Sequence, residues 1–145
     1  MCILNFKDVL KLLPHRHPFI FIDKIIKYKK KQYIIATKSM KLNEYFFQGH
    51  FPNFPIVPGV LILESILQTA YVLVCKSKSV LCKKKIFYFS SIYYAKFRKK
   101  VFPGDEMRIH VNIINIRKNM IRFQGNVFVN CENACDAKMS LMYDT

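Results

Sequence analysis

A chain of 145 residues, 52% hydrophobic and 23% charged, has the composition of one globular domain spanning 1–145 and excludes a disordered polypeptide. Its 24 lysines and arginines against 9 acidic residues leave a net charge of +15, which calls for an acidic partner such as nucleic acid, an anionic membrane surface or an acidic protein. The same blend, rich in Lys, Ile, Asn, Tyr and Phe, also arises from genome-wide nucleotide bias with no function behind it.

From the N-terminus, Asn5 followed by Asp8 and the apolar positions Phe6, Val9, Leu10, Leu12 and Leu13 predicts a short capped helix stopped by Pro14. This segment lacks the basic region, long apolar stretch and small-residue cleavage site of a secretory signal. The expected setting is therefore the cytoplasm, or a plastid-like organelle if a leader has been removed. Two strands are predicted in "PFIFIDKIIKY" and "QYIIATKSM", with "KYKKKQ" as the solvated turn between them. An irregular proline-spaced stretch comes next, and then a long helix from about Gly59 to Lys76.

Ile56 to Cys75 is long and apolar enough to raise the question of a membrane span. Pro58, Glu64 and Gln68 inside it argue for a helix buried in protein instead, since a carboxylate at mid-membrane costs about 2.5–3.5 kcal/mol. Beyond the link "KSKSVLCKKK" the pattern changes to period two. "IFYFSSIYYAKF" reads as a strand kinked at Ser90 and Ser91, followed by the turn "FPGDE". Met107, Ile109, Val111 and Ile113 then share one strand face. Ile121, Phe123, Val127 and Val129 share the next, after the turn "RKN", and "CDAKMSLMYD" supplies the last strand.

Consecutive strands with short turns favour antiparallel pairing, and an apolar helix must be covered on every side. The expected class is α+β, a long central helix wrapped by a curved antiparallel sheet, with any face left open covered by a second subunit. The five cysteines (Cys2, Cys75, Cys82, Cys131 and Cys135) are an odd number without C-x-x-C spacing. They suggest neither a disulfide framework nor a zinc site, and fit a reducing interior.

The chemistry concentrates in "GHFPNFPIVPGVLILESILQTA", Gly49 to Ala70. Pro52, Pro55 and Pro58 each disfavour helix in the preceding residue, so the helix starts near Gly59 and its first N–H groups have no partner within it. Such an end polarises a carbonyl oxygen. Glu64 and Gln68 lie one turn apart on a narrow polar stripe, and a carboxyl there suits proton donation. His50, alone, reads more readily as a hydrogen-bonded structural imidazole than as a catalyst.

Together these residues resemble the signature of the 3-hydroxyacyl-[acyl-carrier-protein] dehydratases of type II fatty acid synthesis, H-F-P-x-x-P-x-x-P-G-V leading into L-x-L-E-x-x-x-Q. "LLPHRHPFIFID" is similar to the family's L-P-H-R-x-P-F segment, and "FYFSSIYYAKFRKKVFPGDEM" to its strand ending in A-x-F-x-x-x-V-x-P-G-D. The resemblance implies a hot-dog fold, dimers or trimers of dimers, and a (3R)-hydroxyacyl substrate on the phosphopantetheine arm of acyl carrier protein. It implies no metal and no cofactor. His50 would handle the C2 proton, Glu64, supplied by the partner subunit, would assist loss of the hydroxyl, and the Gly59 N–H would polarise the carbonyl. Gln68 would hold Glu64. Lys96, Arg98, Lys99 and Lys100 would receive the acidic carrier protein, or simply form a solvated turn.

The chain departs from the family pattern at several positions. Asn53 stands where glycine is common, and Phe54 adds bulk beside the expected mouth. Tyr93 and Tyr94 replace residues that are often acidic, and His17 a common tyrosine. His15 and His17 form an H-x-H pair without a third metal ligand. The dehydratase/isomerase branch of the same fold is the nearest rival, but it carries aspartate where this chain has Glu64. Hot-dog thioesterases lack the combined motifs. A basic nucleic-acid-binding module is the rival of another class, motivated by "IIKYKKKQY" and "YYAKFRKK"; tight, sequence-selective oligonucleotide retention at physiological salt would favour it.

Overall fold

A computed structural model describes residues 3–144. Helix α1, Phe6–Leu12, is closed at its start by a reciprocal pair: Asp8 N donates to Asn5 Oδ1 and Asn5 N donates to Asp8 Oδ2, both at 3.0 Å. Strands β1, Lys24–Lys29, and β2, Tyr33–Ser39, form a hairpin. The predicted first strand is shorter than "PFIFID" suggested. His17 to Phe19 form a turn, closed by Phe19 N donating to Arg16 O at 2.8 Å, and Ile20 to Asp23 run outside the named strands, where the Phe21 N–H bonds to a helix side chain, Gln68 Oε1, at 2.9 Å.

A single 3-10 turn, Tyr45–Gln48, precedes the proline-spaced stretch. Helix α2, Gly59–Ser77, then forms the axis of the molecule. Every residue from Ile62 to Cys75 is buried, including Glu64, Ser65, Gln68 and Thr69. This is the one helix among the described residues long and apolar enough to span a membrane, and it lies inside the protein. Ser65 Oγ and Thr69 Oγ1 are satisfied by the helix itself, donating to Leu61 O at 3.0 Å and Ser65 O at 2.8 Å.

The lysine-rich link, to which the sequence pattern assigns no element, contains a further short helix, α3, Ser79–Lys84. The break between the helices turns Cys82 back on Cys75, their Cα atoms 5.3 Å apart, and the two are joined as a disulfide. That corrects the expectation that no cysteines pair. Spacing along the sequence gave no sign of a chain reversal at Lys78. Cys131 is exposed and Cys135 buried, while Cys2 lies outside the described residues. Burial, aided by neighbouring Asp136, pushes the Cys135 thiol up to about 12, so it is inert at neutral pH.

Strands β3 (Phe87–Phe97), β4 (Glu106–Arg117), β5 (Met120–Val129) and β6 (Glu132–Tyr143) complete one antiparallel sheet in the order β1-β2-β4-β5-β6-β3. The short link after β3 does not make a hairpin with β4, as chain order suggested. It crosses the start of α2, held by Val57 N donating to Val101 O at 2.8 Å, and β3 pairs with β6 at the sheet's edge. The kink anticipated at Ser90 and Ser91 is a shift in the β3–β6 register between Phe89 and Ser91, and a second follows between Ile92 and Tyr94.

The inward faces of β4 and β5 pack on α2. At Gly125 the approach is so close that an added Cβ would enter the side chain of buried Ile66. Ile66 has no open space to retreat into, so Gly125→Ala is expected to cost about 1–3 kcal/mol by overpacking. A urea titration of both proteins checks this; an unchanged midpoint would show that the helix shifts freely over the sheet.

Candidate active site

Proline spacing makes the chain before α2 double back on itself. Phe51 and Phe54 exchange backbone hydrogen bonds at 3.0 Å, and Ile56 N donates to His50 O at 3.0 Å. The His50–Phe51 peptide is cis. Closing the same small loop, His50 Nδ1 lies 2.9 Å from Ile56 O. A carbonyl oxygen can only accept, so Nδ1 carries the proton and donates, and Nε2 is left with its lone pair. The backbone has thereby chosen a tautomer suited to taking a proton.

Pro58 caps α2 without a side-chain hydrogen bond. Leu61 N and Ile62 N both donate to Pro58 O, at 3.0 and 3.3 Å. The N–H groups of Gly59 and Val60 reach no backbone acceptor among the described residues. His50, Ile56, Gly59, Leu63, Phe97 and Val101 line a largely apolar cavity of about 520 Å³ at this helix start. A carbonyl held here would meet a positively polarised helix end.

Glu64 and Gln68 lie next to each other on α2, as their spacing implied. Gln68 Nε2 donates to Glu64 Oε1 at 3.0 Å and to Phe19 O at 3.1 Å, while Gln68 Oε1 accepts from Phe21 N. The amide is thus pinned between the Phe19–Phe21 segment and the carboxyl group. Its orientation is set by backbone groups that have no alternative partner.

Within one protomer, His50 and Gly59 share the cavity and Glu64 does not. Glu64 lies one turn beyond Val60 on the same helix face, and Val60 is 71% exposed. Phe97, which lies against Gly59, is 50% exposed, and β3, the edge strand it ends, also exposes Tyr88, Ile92, Tyr93 and Tyr94.

Among the basic residues after β3, Arg98, Lys99 and Lys100 line the cavity. Arg98 Nε is paired with Asp136 Oδ2 at 2.6 Å and Lys99 Nζ with Glu132 Oε1 at 3.4 Å, whereas Lys96 and Lys100 make no ion pair among the described residues. Burial works to raise the Asp136 carboxyl, but donors on Asn133, Asn126 and Arg98 outweigh it and hold the group below its ordinary value. This fixes the base of the basic run. The bulge in β3 brings Tyr93 against Arg122, whose guanidinium lies 4.4 Å from the ring centroid and donates to the phenol oxygen at 3.1 Å.

His15 and His17 part company. His17 lines a second cavity of about 710 Å³ with Arg16, Asp23, Lys38 and Glu44, in which buried Lys38 is paired with both carboxylates. His15 instead turns inward, its Nε2 3.5 Å from Glu64 Oε1. The sequence assigns His15 no role of its own; its place in "LLPHRHPFIFID", the segment that resembles L-P-H-R-x-P-F, is the available signal.

Residues 13–138 match the family model described as FabA-like domain. The chain is 44% identical to the 3-hydroxyacyl-[acyl-carrier-protein] dehydratase FabZ of Blochmanniella pennsylvanica, over 95% of this chain and 91% of the relative. Against the FabZ of Sodalis glossinidius it is 43% identical, over 94% and 90%. The chain belongs to the FabZ dehydratase family. Solved structures agree on the hot-dog fold. The dehydratase heterocomplex ApeI:P from Xenorhabdus doucetiae matches with a TM-score of 0.78 at 12% identity, covering 94% of this chain and 91% of that one. The smu.793 protein of Streptococcus mutans, bound to acetyl CoA, matches with 0.67 at 12% identity, covering 91% and 95%.

Proposed function

We propose that this FabZ-family chain removes water from a (3R)-hydroxyacyl group carried as a thioester on acyl carrier protein, giving the trans-2-enoyl thioester in fatty acid biosynthesis. The observation that carries this reading is the His50 ring, held by Ile56 O in the tautomer with a bare Nε2, in one cavity with the open N–H groups of Gly59 and Val60.

In the elimination His50 Nε2 takes the proton from C2, and the C–H electron pair becomes the C2–C3 double bond. The C3–O bond breaks, and the departing oxygen takes a proton from Glu64 and leaves as water. Negative charge gathering on the thioester oxygen is met by the Gly59 N–H. The proton on His50 then returns through solvent to the Glu64 carboxylate, restoring both groups. No electron changes hands with any outside group, so the balance calls for no redox cofactor.

Glu64 comes from a second copy of the chain in this reading. The exposed Val60 and Phe97 flank the helix start, and an edge strand with exposed aromatic residues invites pairing with another copy. Lys96 and Lys100, the members of the Lys96–Lys100 run without an acidic partner among the described residues, receive the carrier protein, and the apolar cavity wall takes the start of the acyl tail. The bacterial origin of the curated relatives supports a cytoplasmic setting.

The reverse reaction gives the simplest test. Purified protein mixed with a trans-2-enoyl carrier thioester is expected to discharge the ultraviolet absorbance of the conjugated double bond, with rate proportional to enzyme. Absorbance that decays no faster than in buffer would remove the proposed activity.

A further inference from the structure

His15 is not accounted for by the reaction just described, and its surroundings are unusual for a structural histidine. The ring is held between Phe19, stacked at 6.4 Å and 16°, and Tyr71, edge-on at 5.7 Å and 83°. Its side chain is 17% exposed, and Nδ1 is buried without a hydrogen-bond partner. The polar contact it does make is Nε2 to Glu64 Oε1 at 3.5 Å.

A buried N–H without an acceptor is among the costliest polar groups to leave unpaired, whereas a bare ring nitrogen is more easily tolerated. The unpartnered Nδ1 is therefore the deprotonated one, and the ring proton lies on Nε2, directed at the carboxyl group. Gln68 Nε2 donates to the same oxygen at 3.0 Å. Oε1 thus gathers two donors, while no protein donor reaches Oε2 among the described residues. The 3.5 Å separation is longer than a settled hydrogen bond, and contacts of this kind in unliganded sites tighten when the substrate arrives.

Resting on the dehydratase reading of Glu64, we propose that His15 is a positioning residue for that carboxyl group: with Gln68 it engages Oε1, so that Oε2 is the oxygen that exchanges a proton with the substrate's hydroxyl. The aromatic neighbours fix the plane of the ring, and the Nε2 proton favours the carboxylate left behind when Oε2 gives its own away.

The test uses the intact enzyme and the enoyl hydration assay. His15→Phe keeps the aromatic bulk and removes the donor; His15→Gln keeps a donor of similar reach. The Phe variant is expected to lose about tenfold or more in kcat with KM within about twofold, and the Gln variant to recover most of that loss. In a Glu64→Gln background His15→Phe should cost nothing further, because a residue that acts through Glu64 has nothing left to act on. Nitrogen-15 shifts of the wild-type ring read the tautomer independently of whether a variant folds, and should show the proton on Nε2. A proton on Nδ1, an unchanged kcat in a folded Phe variant, or losses that add fully in the double variant would each overturn the inference while leaving the dehydratase reading intact. A wild-type chain without enoyl hydration would overturn that reading, and this inference with it.

Discussion

Alanine at position 50 lowers the rate of enoyl thioester hydration about 10²–10⁴-fold, the range set by loss of a positioned general acid–base. In hydration His50 must deliver the proton that C2 gains, and it is the one imidazole or carboxyl side chain among the described residues that line its cavity. The loss falls mainly on kcat, since the apolar wall of the cavity and the helix-start N–H groups still receive the substrate. Circular dichroism of the variant should match the wild type. The loop before α2 keeps the Ile56 N to His50 O bond and the Phe51–Phe54 pair, all of them made by backbone. Full activity in a folded His50→Ala protein would remove this residue from the mechanism.

Glu64→Gln is expected to cost a similar factor, about 10²–10⁴, with less disturbance to the fold. The amide matches the carboxyl in shape, and its oxygen still accepts from Gln68 Nε2, so the clamp on Phe19 and Phe21 persists. The amide cannot exchange a proton with the hydroxyl at C3. If the carboxyl group serves the cavity of another copy, two inactive proteins should repair each other. Random re-association of His50→Ala and Glu64→Gln chains makes half the dimers mixed, and each mixed dimer has one site with both groups intact, so roughly a quarter of wild-type activity should return. No recovery after unfolding and refolding the mixture together would place both groups in a single protomer's site, or in none.

Residues whose role is local were legible in the sequence. Asn5 and Asp8 announce a capping box because three-residue spacing alone brings them together, and the period-two faces of β4 and β5 follow from a buried side opposite an exposed one. The start of α2 at Gly59 was fixed by three prolines, and the Glu64–Gln68 contact by one helical turn. What escaped depends on chain reversals. The β3–β6 pairing needs the link at 98–105 to cross the helix start instead of making a hairpin, and no residue in it specifies that choice. Cys75 and Cys82 meet only because α2 breaks at Lys78. His15 reaches Glu64 across 49 positions of sequence, by way of a segment that Gln68 holds at Phe19 O and Phe21 N. Local pattern carries no record of such contacts; the resemblance of "LLPHRHPFIFID" to a known family was the one hint that the segment mattered.

The place of α2 along the chain has a consequence for biosynthesis. Gly59–Ser77 emerges from the ribosome ahead of β3, β4, β5 and β6, which supply four of the six strands that enclose it. Until β3 to β6 follow it, the nascent polypeptide carries a greasy rod of membrane-spanning length with little beyond a single hairpin and α1 to shelter it. Closure of the sheet over this helix therefore waits on the later strands, and the interval before it is when chaperones, proteases and stray hydrophobic surfaces compete for the same nineteen residues.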